Sequence, residues 1–204
     1  CRTDEDDTLA KARKYAAEKG LPQIQVCTYD GKHLEVITRS MRVKKAVELG
    51  TLGGYSGTCI CRGLEPDGKL YTVESNPFHA DVAAKVFEMC DVSDKVQICR
   101  GEADTVLPTL ENLGPFDLIF IDADKPSYAK YFLWADRNLR KGGLLLSDNI
   151  FAFGALAQKS IDDPTLKREV EGIRNFHMLL VESRNYSATV LPTGEGLGMA
   201  VKIR

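Results

Sequence analysis

The stretch FDLIFIDADKPSY, residues 116–128, opens with a row from Phe116 to Ile121 that only Asp117 interrupts, then places Asp122, Asp124 and Lys125 directly after it. A strand wetted on one face alternates apolar and polar residues, whereas a near-continuous apolar row of this length suits a strand covered on both faces. Such strands are parallel and are followed by helices, and YAKYFLWADRNLR (128–140) supplies the helical period.

Outward from this row the same pattern recurs. KKAVELG (44–50), KLYTVES (69–75), KVQICRG (95–101) and GGLLLSD (142–148) read as short strands. Between them GYSGTCICRGLE (54–65), PFHADVAAKVFEMC (77–90) and ADTVLPTLENL (103–113) read as helices. Strand alternating with helix predicts an α/β fold with a parallel sheet covered on both sides. After a long charged helix, PTLKREVEGIRNFHMLLVES (164–183), the rhythm changes. YSATVLP (186–192) and GLGMAVKIR (196–204), joined through TGEG, predict a closing antiparallel hairpin. At the front, residues 8–19 and about 30–41 are expected to be helical, with GLP (20–22) between them.

The chain has 204 residues, 44% hydrophobic and 27% charged, enough for one substantial core. A net charge of −2 gives no electrostatic footing for nucleic acid, which needs a concentrated surplus of Lys and Arg. No run approaches the ~18 apolar residues of a membrane span, and the acidic start lacks the apolar core of a signal peptide. A soluble, cytoplasmic protein with no membrane partner is expected. Residue 1 is Cys rather than Met, which reads as a processing boundary that leaves room for an earlier targeting segment. Cysteines 1, 27, 59, 61, 90 and 99 form no C-x-x-C pair and sit mostly among apolar residues, so they read as buried thiols rather than disulfides or zinc ligands. His33, His79 and His177 lack metal-ligand spacing.

In an open parallel sheet, ligands bind beyond the carboxyl ends of the strands. The chemistry-bearing residues fall there. AVELGTLGGYSG (46–57) puts Glu48 near the end of the first strand and Gly50, Gly53 and Gly54 in the turn that follows. Glycines let a backbone pass close to a ligand, and the carboxylate can accept a hydrogen bond from it. The spacing is not G-x-G-x-x-G, so the dinucleotide fingerprint fails. Glu74 closes the second strand, where an acidic residue takes both hydroxyls of a ribose. Asp122 ends the fourth strand, and Asp148 and Asn149 end the fifth. Two carboxylates and an amide carbonyl form a hard oxygen set suited to Mg²⁺ or Ca²⁺; the bland alternative is that each Asp caps the helix after it.

VELGTLGGYSG, YTVESNP, FIDADKPSY, LLLSDNI and VLPTGEGLGMAVK resemble, in order and spacing, the small cation-dependent O-methyltransferases that use S-adenosylmethionine, the group of caffeoyl-CoA and catechol O-methyltransferases. The resemblance runs from about DGKHLEVITRS to the C-terminus. It implies a Rossmann-like class I methyltransferase domain over 1–204, with a seven-stranded, mostly parallel sheet, a C-terminal antiparallel hairpin, and residues 1–41 as a helical cover on the substrate side. It further implies that Asp122, Asp148 and Asn149 hold a divalent cation, Mg²⁺ first, with Ca²⁺ or Mn²⁺ as alternatives. Lys125 matches the catalytic lysine, with Asp122 beside it. Glu48, Gly50, Thr51, Tyr55 and Ser56 match the turn around the cofactor's methionine part, and Glu74 the ribose grip. Ala103 and Asp104 match the adenine contact, and Asp122 also borders the cofactor. Asp124 sits near the metal or supports it.

A phenol ionises near pH 10, so bidentate coordination to a cation favours the oxyanion of a vicinal diol. Lys125 then serves as the base, provided that the cation depresses its pKa. Where many members continue after DN with an apolar residue, Trp and Gly, this chain has IFAFGALAQ, and Phe151 and Phe153 are candidates for an aromatic wall or for core packing. VCTYDGKHL (26–34) lacks the family's proline-rich approach, which favours free catechols over CoA esters. The expected substrate is a small aromatic diol, and homodimers are frequent in the family. Two alternatives stand beside this expectation: a nicotinamide-dependent oxidoreductase, and a non-catalytic protein that binds S-adenosylmethionine.

Overall fold

The computed structural model describes residues 5–204; Cys1 lies outside them. The chain divides into two compact units, one running to Asn112 and the other from Leu113.

In the first unit, helices α1 (Asp7–Glu18) and α2 (Thr28–Ser40) precede an alternation of β1 (Lys45–Leu49), α3 (Tyr55–Gly63), β2 (Lys69–Glu74), α4 (Pro77–Met89), β3 (Val96–Arg100) and α5 (Ala103–Leu110). The three strands run parallel in the order β3-β2-β1, with Leu49 beside Val73 and Glu74 beside Arg100. Their carboxyl ends are thereby level. Local sequence sets the helix starts: Asp6 accepts from the amides of Thr8 and Leu9 to begin α1. Asn76 accepts from those of Phe78 and His79 to begin α4, whose first residue is Pro77. Close approach of α2 and α3 rests on Gly63, where a Cβ would lie 2.5 Å from the Glu35 carbonyl oxygen.

The second unit holds β4 (Phe116–Ile121), α6 (Tyr128–Asn138), β5 (Leu139–Ser147), α7 (Pro164–Glu182), β6 (Tyr186–Leu191) and β7 (Leu197–Lys202). β5 lies parallel to β4 and antiparallel to β7, which pairs with β6 as the expected hairpin. The decisive row behaves as its composition demands: Phe116, Leu118, Ile119, Phe120 and Ile121 are all sealed from solvent. The first unit thus contributes three parallel strands, and the second a parallel pair and an antiparallel hairpin, the seven strands expected.

Two expectations need correction. The helix expected to reach residue 140 stops at Asn138, and β5 starts at Leu139, three residues earlier than the apolar run suggests. Leu139 pairs with Phe116, and the register then shifts before Leu118 pairs with Leu144. Gly142, at φ +74°, provides the bend, and Arg140 Nε donates to Asp117 Oδ1 at 2.6 Å, so a charged segment joins a core strand. Among the thiols, Cys59, Cys61 and Cys90 are buried and free as expected, but Cys27 is exposed and caps α2, its sulfur accepting from the Asp30 amide.

Candidate active site

At the end of β1 the chain enters a turn whose backbone is left-handed at Gly50, Leu52 and Gly54. Glycine supplies two of these positions without strain, and Leu52 occupies the third against its preference. Glu74 fastens the turn. Its Oε2 accepts from the amides of Thr51 (3.3 Å) and Leu52 (2.8 Å), while Oε1 accepts from that of Asn76 (2.9 Å). Glu74 therefore has a duty within the fold beyond the ribose contact expected from its position.

Glu48 is fully buried, and the hydroxyls of Ser56 and Thr72 each donate to its carboxylate at 2.6 Å. The expected acceptor for a ligand is thus directed inward, tying the first turn of α3 to β1 and β2. Thr51 joins the same network, its hydroxyl 2.5 Å from that of Thr72. Tyr55 is buried, and burial raises its phenol pKa above the ordinary value, which keeps it protonated. The Gly101 amide donates to the Glu74 carbonyl at 2.8 Å, leading β3 into α5, whose first turn carries half-buried Ala103 and exposed Asp104. Glu48, Gly50, Thr51, Tyr55, Ser56, Glu74, Ala103 and Asp104 thus cluster at level strand ends of the first unit.

The second unit assembles the acidic set. Ile121 of β4 is in register with Ser147 of β5, and the Asp148 amide donates to the Ile121 carbonyl at 3.0 Å. Asp122 and Asp148, each one residue beyond that pair, therefore leave adjacent strand ends side by side. Asp148 is 5% exposed, and Asn149 follows with left-handed backbone at φ +55°. Lys125 lies across the group: its Nζ donates to Asp122 Oδ1 at 3.1 Å and to the Tyr128 hydroxyl at 2.8 Å. Its partners are thus Asp122 and Tyr128 rather than Asp124, whose carboxylate accepts from the Tyr131 hydroxyl.

Among the described residues no group of three or more His, Cys, Asp and Glu side chains could hold a metal ion. The candidate set instead combines two carboxylates with the Asn149 amide. Its donors are all hard oxygen, so the chemistry of the set fits a divalent cation of the Mg²⁺ or Ca²⁺ kind.

Tyr128 and Gly172 are the parts that sequence reasoning missed. Tyr128 is fully buried, and its hydroxyl lies 3.2 Å from the Ile121 carbonyl oxygen and 3.1 Å from that of Asp148. Burial, then the neighbouring carboxylates of Asp122, Asp148 and Asp124, hold its pKa well above the ordinary value, so it is a neutral phenol. Its place three residues after Lys125 is the only signal the sequence carries. Gly172 lets α7 close on the turn at 125–127, where any Cβ would collide with the Lys125 carbonyl.

Beyond Asn149 the loop stays strained, with Ala152 and Phe153 both left-handed. The amides of Ile150 and Phe151 donate to the carbonyls of Gly196 and Glu195, which docks the loop on the hairpin turn. Phe151 and Phe153, with Leu156, Ala157, Gly194 and Glu195, line a cleft of about 580 Å³. Phe153 is 58% exposed, which favours the aromatic-wall expectation for this residue over core packing.

The first unit carries a glycine turn and acidic residues at its strand ends and the second a carboxylate pair with a lysine, the pattern expected of a Rossmann-like enzyme that uses S-adenosylmethionine. A family profile described as O-methyltransferase matches residues 1–203. The chain belongs to the O-methyltransferase family. Catechol O-methyltransferase of Niastella koreensis is 41% identical over 189 residues, covering 92% of this chain and 84% of that protein. The catechol O-methyltransferase of Mycobacterium tuberculosis is 38% identical over 158 residues, 78% of this chain and 71% of that one. The crystal structure of the Bacillus cereus O-methyltransferase in complex with SAH superposes with a TM-score of 0.91 at 34% identity, covering 98% of this chain and 92% of that one. The nicotinamide oxidoreductase alternative falls with these findings.

Proposed function

We propose that this enzyme transfers a methyl group from S-adenosylmethionine to one hydroxyl of a catechol-like aromatic diol, with a divalent cation held by Asp122, Asp148 and Asn149. The observation that carries this reading is the pairing of Asp122 and Asp148 at adjacent strand ends with Lys125 set against Asp122. The names of the relatives from N. koreensis and M. tuberculosis support the choice of acceptor.

In this reading the turn from Gly50 to Ser56 receives the methionine part of the cofactor, Glu74 the ribose, and Ala103 and Asp104 the adenine. When bound, S-adenosylmethionine supplies an electrophilic methyl group and the cation favours the oxyanion form of a vicinal diol. Lys125 takes the proton of the reacting hydroxyl at its Nζ, and Asp122 orients that amine. Phe151 and Phe153 hold the flat ring by stacking and keep water from it. The protein's main contribution is alignment of oxygen, carbon and sulfur, a kind of positioning that contributes roughly 7–11 kcal/mol in well-oriented systems.

The test is methyl transfer from labelled S-adenosylmethionine to a panel of free catechols and caffeoyl-CoA, with Mg²⁺ and with excess EDTA. Transfer to free catechols that EDTA abolishes is expected. Turnover that survives EDTA would remove the cation from the reading, and Lys125→Ala with near-normal turnover would remove the base.

A further inference from the structure

The Tyr128 hydroxyl carries one proton, and the two carbonyl oxygens of Ile121 and Asp148 lie within its reach at 3.2 and 3.1 Å. With that proton committed to the carbonyls, the oxygen meets Lys125 Nζ, 2.8 Å away, as an acceptor. Lys125 donates a second hydrogen to Asp122 Oδ1 at 3.1 Å. The Lys125 Nζ is tetrahedral, and one of its four directions is taken by its own carbon. Two more are taken by the hydrogen bonds to Tyr128 and Asp122, so a single direction remains open.

We propose that Tyr128 is a positioning residue that turns the open direction of the Lys125 amine toward the acceptor hydroxyl. This rests on the base role assigned to Lys125 above. Asp122 alone would leave the amine free to rotate about the Cδ–Cε and Cε–Nζ bonds, so one hydrogen bond does not fix the direction. The tyrosine is well built for the task. It is fully buried, its ring packs edge-on against Phe176 with centroids 5.8 Å apart, and its hydroxyl bridges the two strand ends that carry the acidic pair. The lysine amine also lies 4.9 Å from the centre of the Tyr128 ring, so that ring limits where the amine can swing.

Tyr128→Phe keeps the ring and its packing and removes only the hydroxyl. The experiment measures kcat and both KM values with a catechol, and in parallel Mn²⁺ affinity by electron paramagnetic resonance and the melting temperature. The expected result is a kcat lower by about 10- to 100-fold, the scale on which misplacement by an ångström acts, with KM values and Mn²⁺ affinity within about threefold of wild type. If Tyr128→Phe does not fold, 4-fluorophenylalanine at 128 fills the hydroxyl's space with a poor acceptor and is expected to lower kcat in the same way. Unchanged kcat in either variant overturns the proposal when Lys125→Ala is inactive, as does a change confined to KM or to metal affinity. An active Lys125→Ala overturns the base reading itself, which separates the two failures.

Discussion

Replacing Glu74 by Gln tests whether this carboxylate holds the cofactor turn. The amide oxygen of a glutamine can still accept from Thr51 and Leu52, but its NH₂ then faces the Asn76 amide, so two donors oppose each other where Oε1 now accepts at 2.9 Å. The loss is one hydrogen bond to a charged group, about 1.5–3 kcal/mol, and the two remaining bonds weaken from charged to neutral. Relief from burying a charge offsets part of this, because Glu74 is only 8% exposed. A net destabilisation of about 2–3 kcal/mol follows, which in a chain of this size lowers the melting temperature by about 4–12 °C. Calorimetric unfolding measures it, with Glu88→Gln as the control, since that side chain is 58% exposed and pairs with Lys85 on the surface. In folded Glu74→Gln, titration with S-adenosylhomocysteine is expected to show binding at least about tenfold weaker, as one lost charge-assisted hydrogen bond would give. A melting temperature within about 1 °C of wild type would refute the claim that Glu74 organises the turn.

Gly172→Ala forces a Cβ onto the Lys125 carbonyl, so the turn bearing the lysine must shift; thermal melting and turnover are both expected to fall, by about 1–3 kcal/mol in stability. An alanine variant that melts and turns over as wild type would show that α7 gives way instead. His177 is half-buried beside Phe176, and burial lowers its pKa below the usual 6.5, so the folded protein prefers the neutral ring. Its stabilising contribution is present above the unfolded pKa and is lost as pH falls through the lower folded value. His177→Gln should therefore show a smaller drop in urea midpoint than wild type between about pH 7.5 and about pH 5.5; parallel curves would exclude His177 as a source of that pH dependence.

What the sequence carried well was whatever local composition decides. Apolar rows wrote out β1 to β5, and the SNP start of α4 and the TGEG hairpin turn are local chemistry that needs no tertiary context. The strand start at Leu139 was not legible, because a charged segment enters β5 only when Asp117 and Phe116 are already in place to receive Arg140 and Leu139. The duties of the acidic residues were legible only in part. Position at the end of a strand marks Glu48 and Glu74 as near a ligand, yet nothing local says that Ser56 and Thr72 turn Glu48 inward or that the amides at 51 and 52 engage Glu74.

The two carboxylates and the amine that follow the strand in FDLIFIDADKPSY acquire distinct roles through the last residue of that stretch. Asp122 inherits its neighbour, Asp148, from strand pairing, since parallel register alone puts residues 122 and 148 side by side. Lys125 cannot inherit its position that way, because it stands in a short turn after the strand. Its amine is located by Tyr128, which α6 carries back under the turn, and by the gap that Gly172 leaves in α7. The acidic pair is therefore a product of the sheet, and the lysine a product of helix packing against the turn. Substitutions in α7 remote from any ligand should accordingly disturb the lysine before they disturb the acidic pair.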